Sequence, residues 1–168
     1  MIRKFALSVL FVLPLSVFAQ DLKFGHINRQ ELIEVMPEAV AAQRTLEDLV
    51  LKYREEMTKL ETEFQSKLTD LQQNSAALEP AIRARRESDL QRMHENIQSF
   101  GTNAQEDLQK RQMELMIPIE EKVNKAINEI GEENGFMYIF DVQAQAILYK
   151  SSKSVDVLPM VKKKLNLK

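Results

Sequence analysis

The side chains able to carry reaction chemistry are two histidines, His26 and His94, and 25 aspartates and glutamates, with no cysteine in 168 residues. Histidine beside carboxylate is the material of general acid–base catalysis and of metal ligation. The spacing supports neither use. His26 stands in a short stretch of alternating apolar and polar residues, and His94 stands far along the chain in a long helical pattern. The four glycines form no phosphate-binding loop, and no nucleophile motif is present. The carboxylates are spread along helical segments as a solvated face. Lack of cysteine removes disulfides, thiol chemistry, cysteine metal sites and lipid attachment through cysteine. The residues therefore assign no catalytic, cofactor-binding or metal-ligating role, and the function must lie in binding surfaces.

Two sets of residues are candidates for such surfaces. Arg83, Arg85, Arg86 and Arg92 form the densest charge cluster and suit contact with a protein client or an anionic surface. Glu79, Glu87, Asp89 and Glu95 balance them, which favours a solvated helix face instead. Among the apolar residues, Phe100, Met113 and Met116 lie beside the main helical rows described below. Methionine adapts to varied apolar partners, so these three are the candidates for contact with a client. The run Lys162–Lys164 sits near the end of a helical segment, where positive charge complements the helix dipole.

The elements that position these residues begin after a leader. Arg3 and Lys4 precede an apolar run from Phe5 to Phe18, which ends at Val17-Phe18-Ala19. This pattern predicts a secretory signal peptide over residues 1–19, cleaved after Ala19. The run is shorter than the roughly 20 residues a membrane span needs, and no later segment is more apolar, so integral membrane insertion is not expected. The mature chain from Gln20 is then an exported protein, and the bacterial style of the leader points to the periplasm. Loss of Arg3 and Lys4 takes the net charge from −2 to −4, a balance that does not suit nucleic acid. Abundant Glu, Lys, Leu, Gln and Ala with little Gly point to long helices.

Three zones follow. Residues 20–37 open with an alternating segment, Leu22 to Asn28, expected to be a strand. Asn28 is placed to cap a short helix over Gln30–Met36, with Glu31 at capping-box spacing, and Pro37 ends or bends it. Residues 38–133 carry two apolar stripes. In the first, Leu46, Leu49, Tyr53, Met57, Leu60, Phe64, Leu68 and Leu71 are spaced 3, 4, 4, 3, 4, 4 and 3 apart, an 11-residue repeat. In the second, Met93, Ala104, Leu115 and Ala126 form one 11-residue row and Ile97, Leu108, Ile119 and Ile130 another. Such a period predicts helices that pair nearly straight or with a gentle right-handed wrap. Asn74-Ser75 and Pro80 interrupt the pattern at 74–80. An interior proline costs about 3 kcal/mol in a continuous helix, whereas Pro80 fits the first turn of a second one. An antiparallel hairpin with its tip near 74–80 is the expected result. Pro118 lies inside the second stripe and is expected to kink it, making it a candidate hinge of the arm.

Residues 134–168 return to β character. Gly135 suits a helix C′ position. Phe136 to Val142 reads as a buried strand, and Ala146-Ile147-Leu148-Tyr149 as its hairpin partner. Asp156 is placed to cap a last helix over Val157–Leu167. Three short strands give too small a core for arms of this length, so the body should self-associate. Phe24, Ile27, Leu32, Phe136, Tyr138, Ile139, Phe140, Ile147 and Leu148 are the candidate residues of that oligomerisation body. The fold class is mainly α, with a small β body from which a long antiparallel helical hairpin projects.

The segments Lys23-Phe24-Gly25-His26-Ile27-Asn28, Gln30-Glu31-Leu32, Tyr138-Ile139-Phe140-Asp141, Ala146-Ile147-Leu148-Tyr149 and Val155-Asp156-Val157 resemble the Skp/OmpH family of periplasmic chaperones in order and spacing. The resemblance implies a jellyfish-like homotrimer whose strands build a shared body. Its arms would enclose a cavity holding unfolded outer-membrane proteins, without ATP or metal. It also allows transient contact with a membrane surface. The best-known members are strongly basic, whereas residues 38–117 of this chain hold 11 basic and 15 acidic side chains. That departure argues against general electrostatic capture of acidic clients and against a lipopolysaccharide site. A structural or adaptor coiled-coil protein of the envelope, with one fixed partner, is the alternative.

Overall fold

The computed structural model describes residues 22–144 and 147–167; the expected leader and its cleavage point lie outside the described residues. The chain runs β1 (Phe24–Ile27), α1 (Arg29–Glu34), α2 (Pro37–Asn74), a single 3₁₀ turn (Ser75–Ala77), α3 (Pro80–Glu133), β2 (Tyr138–Asp141), β3 (Val155–Asp156) and α4 (Leu158–Lys164). Among the described residues no helix is long and apolar enough to cross a membrane.

Local chemistry sets the first turns. The Asn28 side chain accepts a hydrogen bond from the Glu31 backbone N–H at 3.1 Å and caps α1. Met36, next to a proline, is held extended, and Pro37 opens α2 at its first position. At the far end of α2 the 3₁₀ turn reverses the chain, and Pro80 opens α3 in the same way. Gly135 takes φ 66° just past α3, and the Phe136 N–H reaches back to the Gly131 carbonyl at 3.0 Å, closing the helix end with a Schellman pattern.

The two long helices run antiparallel. Glu38 meets Lys122, Tyr53 meets Asp107, Phe64 lies by His94 and Asp70 meets Arg86, so positions rise on α2 as they fall on α3. From Leu46 to Leu71 every stripe residue of α2 is buried or half-buried, while the residues between them are exposed except Thr69. The rows of α3 are covered likewise, from Met93 and Ile97 through Ala104, Leu108 and Leu115 to Ile119, Ala126 and Ile130. At about 1.5 Å per residue, the 38 residues of α2 extend roughly 57 Å. The α3 helix continues unbroken through the exposed Pro118.

At the root the hairpin widens into a core of Ile27, Leu32, Met36, Ala42, Ile119, Val123, Ala126, Ile130, Val157, Leu158 and Val161. Above it lies a three-stranded parallel sheet in the order β2-β1-β3. The expected hairpin between Phe136–Val142 and Ala146–Tyr149 does not form: Ile147, Leu148 and Tyr149 are not in a strand, and Val155–Asp156 supplies the third strand instead. Ala146 lies outside the described residues. The reason is non-local. β1 offers two edges, β2 takes one, and the chain crosses over to reach the other, where the Val157 N–H also bonds to the His26 carbonyl at 2.9 Å. The last helix is also shorter than expected. Asp156 accepts a hydrogen bond from the Leu158 N–H at 3.0 Å, and α4 ends at Lys164.

Charged side chains fasten the root from outside. Lys164 bonds Glu129 at 3.0 Å and Glu133 at 2.6 Å, Lys162 bonds Glu31 at 2.9 Å, and Lys122 bonds Glu38. The Lys122 bond holds the Glu38 carboxyl below its ordinary value, and the Lys164 bond does so for Glu129. A depressed folded pKa gives stability that is complete above the ordinary value of 4.5 and is lost as pH falls through the folded value. Lys164→Met should therefore flatten the acid limb of stability against pH in urea titrations, leaving the slope between about pH 6 and 8 unchanged.

Two glycines separate the tight body from the looser arm. A Cβ on Gly25 would meet Val157 Cγ1 at 3.0 Å, Ile139 Cγ1 at 3.1 Å and Phe136 Cδ1 at 3.2 Å, all held by packing. On Gly101 it would meet only the terminal methyl of Met57, at 3.2 Å. Gly25→Ala should destabilise by about 1–3 kcal/mol through overpacking. Gly101→Ala should stabilise by up to about 1 kcal/mol through helix propensity. Denaturant unfolding of both variants checks the contrast.

Candidate functional site

In a strand, successive side chains point to opposite faces. The inner face of β1 therefore carries Gly25 and Ile27, and the outer face Phe24 and His26. Register pairs Phe24 with Tyr138 and His26 with Phe140, placing those aromatics on the same outer face. There the three rings stack: Phe24 to Tyr138 at 6.3 Å and 6°, Phe24 to Phe140 at 6.4 Å, and Tyr138 to Phe140 at 5.8 Å. The segment 147–154 lies over this face and leaves the rings partly open. Phe24, Tyr138 and Phe140 are 37%, 58% and 44% exposed. Beside them the segment after β2 holds out Leu148 and Tyr149, 94% and 83% exposed. A contiguous apolar surface of this kind marks an interaction site.

The nine expected body residues thus divide. Ile27 and Leu32 are buried in the core, and Phe136 and Ile139 pack against it. Phe24, Tyr138, Phe140 and Leu148 face outward, and Ile147 lines a cavity of about 810 Å³ between β1 and the segment 147–154. The wall of that cavity includes His26, which is only 8% exposed. Its Nδ1 lies 2.9 Å from Ser154 Oγ and its Nε2 lies 2.9 Å from Lys150 Nζ. Sequence reading misses the grouping of His26, Tyr149, Lys150 and Ser154, because nothing local in the sequence says that residues 150–154 fold back over β1.

On the arm, the arginine cluster is spent internally. Arg83 donates to the Ser75 carbonyl across the tip, Arg86 pairs with Asp70 of α2, and Arg92 pairs with Asp89. Arg85 is exposed. The partners on α2 are visible only once the hairpin is closed. Phe100, expected beside the stripe, is instead part of the hairpin packing. Its ring meets Tyr53 edge-on at 5.9 Å, and the Tyr53 hydroxyl donates to Asp107 at 2.7 Å. That bond to a carboxylate pushes the Tyr53 phenol up from its ordinary value. Met116 is half-buried against the core, because the core widens where α3 nears the root. Met113 alone of the three is open, 60% exposed, one turn from Ile117 at 57%. Among the described residues no group of three or more His, Cys, Asp or Glu is placed to hold a metal.

These positions separate two roles by measurement. Phe100→Ser should cost about 1–3 kcal/mol in thermal or urea unfolding, since it removes a ring from the hairpin. Met113→Ser should change stability by no more than about 0.5 kcal/mol, as an exposed substitution does.

The chain is similar to known proteins in sequence and, for one solved structure, in fold. Residues 23–165 match the family described as outer membrane protein, OmpH-like. The chaperone protein Skp of Yersinia enterocolitica is 24% identical over 158 residues, covering 94% of this chain and 96% of the relative. The chaperone protein Skp of Photorhabdus luminescens is 27% identical over 146 residues, covering 83% and 86%. A solved chain described as an OmpH-like outer membrane chaperone, from Caulobacter crescentus, superposes with a TM-score of 0.75 at 12% identity over 86% of this chain and 84% of that one, a likeness of fold.

Proposed function

The chain belongs to the OmpH-like family, and from that premise we propose that it is a non-enzymatic, ATP-independent holdase chaperone of the periplasm, binding unfolded outer-membrane proteins between the helical arms of a homotrimer. The observation that carries this reading is the pairing of a long, self-packed arm with a partly open aromatic face at its root. The arm spends its stripe residues on its own packing, so the aromatic face is the part of the molecule that calls for further copies. Three copies joined through Phe24, Tyr138, Phe140 and Leu148 would set three arms around a shared space.

Client contact is then a matter of many weak sites. Met113 and Ile117 on α3, and Val40 and Leu51 on α2, leave separate exposed apolar side chains along the arm. Each is too small to hold a chain alone, but several on linked arms act at high effective concentration and release readily. Arg83, Arg86 and Arg92, bonded within the arm, contribute little to capture in this reading. Pro118 removes the hydrogen bond that the Glu114 carbonyl would otherwise accept, and it is proposed as the place where the arm bends about its base. The arm comprises residues 38–133 and the body residues 20–37 and 134–168.

The deciding experiment follows aggregation of a urea-diluted outer-membrane β-barrel protein by light scattering, without ATP, with the chaperone added. Suppression at near-stoichiometric trimer is expected, with Met113→Ser/Ile117→Ser weakening it several-fold at unchanged helicity. Absence of suppression contradicts the reading. Recovery of one folded, stoichiometric partner by pull-down would favour an envelope adaptor in its place.

A further inference from the structure

We propose that His26, Lys150 and Ser154 form a pH-sensitive latch that couples acidity to self-association of the body, a step that rests on the self-association reading above. His26 is the one buried polar or charged side chain among the described residues. It sits at the centre of the sheet, on the same face as the Phe24, Tyr138 and Phe140 rings. Both ring nitrogens are engaged by the segment that follows β2: Ser154 Oγ at Nδ1 and Lys150 Nζ at Nε2, each at 2.9 Å. This segment also carries Leu148 and Tyr149, the most exposed large apolar residues among those described.

The donors decide the protonation state. A lysine ammonium only donates, so Nε2 must be a bare acceptor. Nδ1 then carries the proton and donates to Ser154. The latch therefore needs a neutral imidazole. Protonation puts an N–H on Nε2 and sets an imidazolium against an ammonium with no acceptor between them. No carboxylate among the described residues is hydrogen-bonded to the ring. Lys150 and Lys153 line the cavity with His26, and no carboxylate among the described residues does; Lys23, also in its wall, sends its ammonium to the Asn134 carbonyl at 3.0 Å and over the Phe136 ring. Across the sheet, Asp156 stands opposite His26 in β3; one of its oxygens accepts from the Leu158 N–H, and the His26 ring nitrogens bond Ser154 and Lys150 instead. On the other side β2 presents Phe140 to it, and the Asp141 carboxylate is occupied by the Gln143 N–H. Histidine is the side chain that ordinarily changes charge between pH 5 and 8. Acid should release Lys150 from β1, let residues 147–154 lift, and displace Leu148 and Tyr149 from the face that joins copies.

The test measures the self-association constant of the mature protein by sedimentation at about pH 7.5 and about pH 5.5, a window above the ordinary carboxylate range. Wild type, His26→Gln and Lys150→Met are compared, with hydrogen exchange of residues 147–154 followed for each variant under the same conditions. The glutamine side chain in His26→Gln keeps an uncharged acceptor for Lys150. Wild type should associate about tenfold or more weakly at the lower pH, with exchange of 147–154 rising in step. His26→Gln should be flat in both, and Lys150→Met should show a smaller response. A wild type flat in both readouts, or one whose response His26→Gln shares, overturns the latch. A protein that is monomeric at both pH values, yet loses protection of 147–154 only when His26 is present, supports the latch and contradicts self-association.

Discussion

Leu49, Tyr53, Met57, Leu60 and Phe64 are half-buried because α3 lies along them in the opposite direction, with Phe100 against Tyr53, Gly101 against Met57 and His94 beside Phe64. Each stripe is one side chain wide, too narrow to be buried by its own helix and too long to be left exposed. Pairing them fixes a turn near residues 75–79 and returns the chain to its starting point. The sheet depends on that return. β1 and β2 are neighbours in space but are separated in sequence by α1, α2 and α3, so their parallel ladder can form only when the hairpin has brought residue 138 back beside residue 24. The ion pairs Glu38–Lys122 and Lys164–Glu129 stand around this junction on its exposed surface; they tune the root, and apolar contact holds it.

The same economy distributes function. An arm that satisfies its own stripe has only scattered apolar side chains left to offer, and a body built on three short parallel strands covers one face with helices and leaves the other only partly covered, by residues 147–154. Phe24, Tyr138 and Phe140 on that partly open face, and Met113 and Ile117 on the arm, are apolar surfaces the fold does not use for itself. The first group is compact and aromatic, suited to one fixed partner surface. The second is dispersed, suited to partners of varied sequence.

Features that depend on neighbours in the sequence are legible from it. The 11-residue spacing locates the covered face of both long helices residue by residue, Asn28 and Glu31 mark the α1 cap, and Gly135 marks the end of α3. What stays hidden depends on residues far apart. The composition of Phe136–Val142 and Ala146–Tyr149 suggests a hairpin, but strand order is decided by the second free edge of β1, which Val155–Asp156 fills. Phe100 looks peripheral until Tyr53 is found opposite it, and Arg86 looks free until the hairpin brings up Asp70. The candidate body residues come from the right segments, yet alternation cannot say that Ile139 faces the core while Tyr138 and Phe140 face away. His26 carries no local signal of a role, because its partners, Lys150 and Ser154, come from the other end of the chain.

The antiparallel pairing of the two stripes within one molecule is open to direct test, since the chain has no cysteine of its own. Cysteines placed at Met57 and Gly101, where the Met57 terminal methyl reaches the Gly101 backbone across the hairpin, should be joined by a short bis-maleimide cross-linker into a product that runs, denatured, at the mass of a single chain. Cross-linked pairs of chains as the main product, or thiols that stay free in the folded protein, would contradict the account.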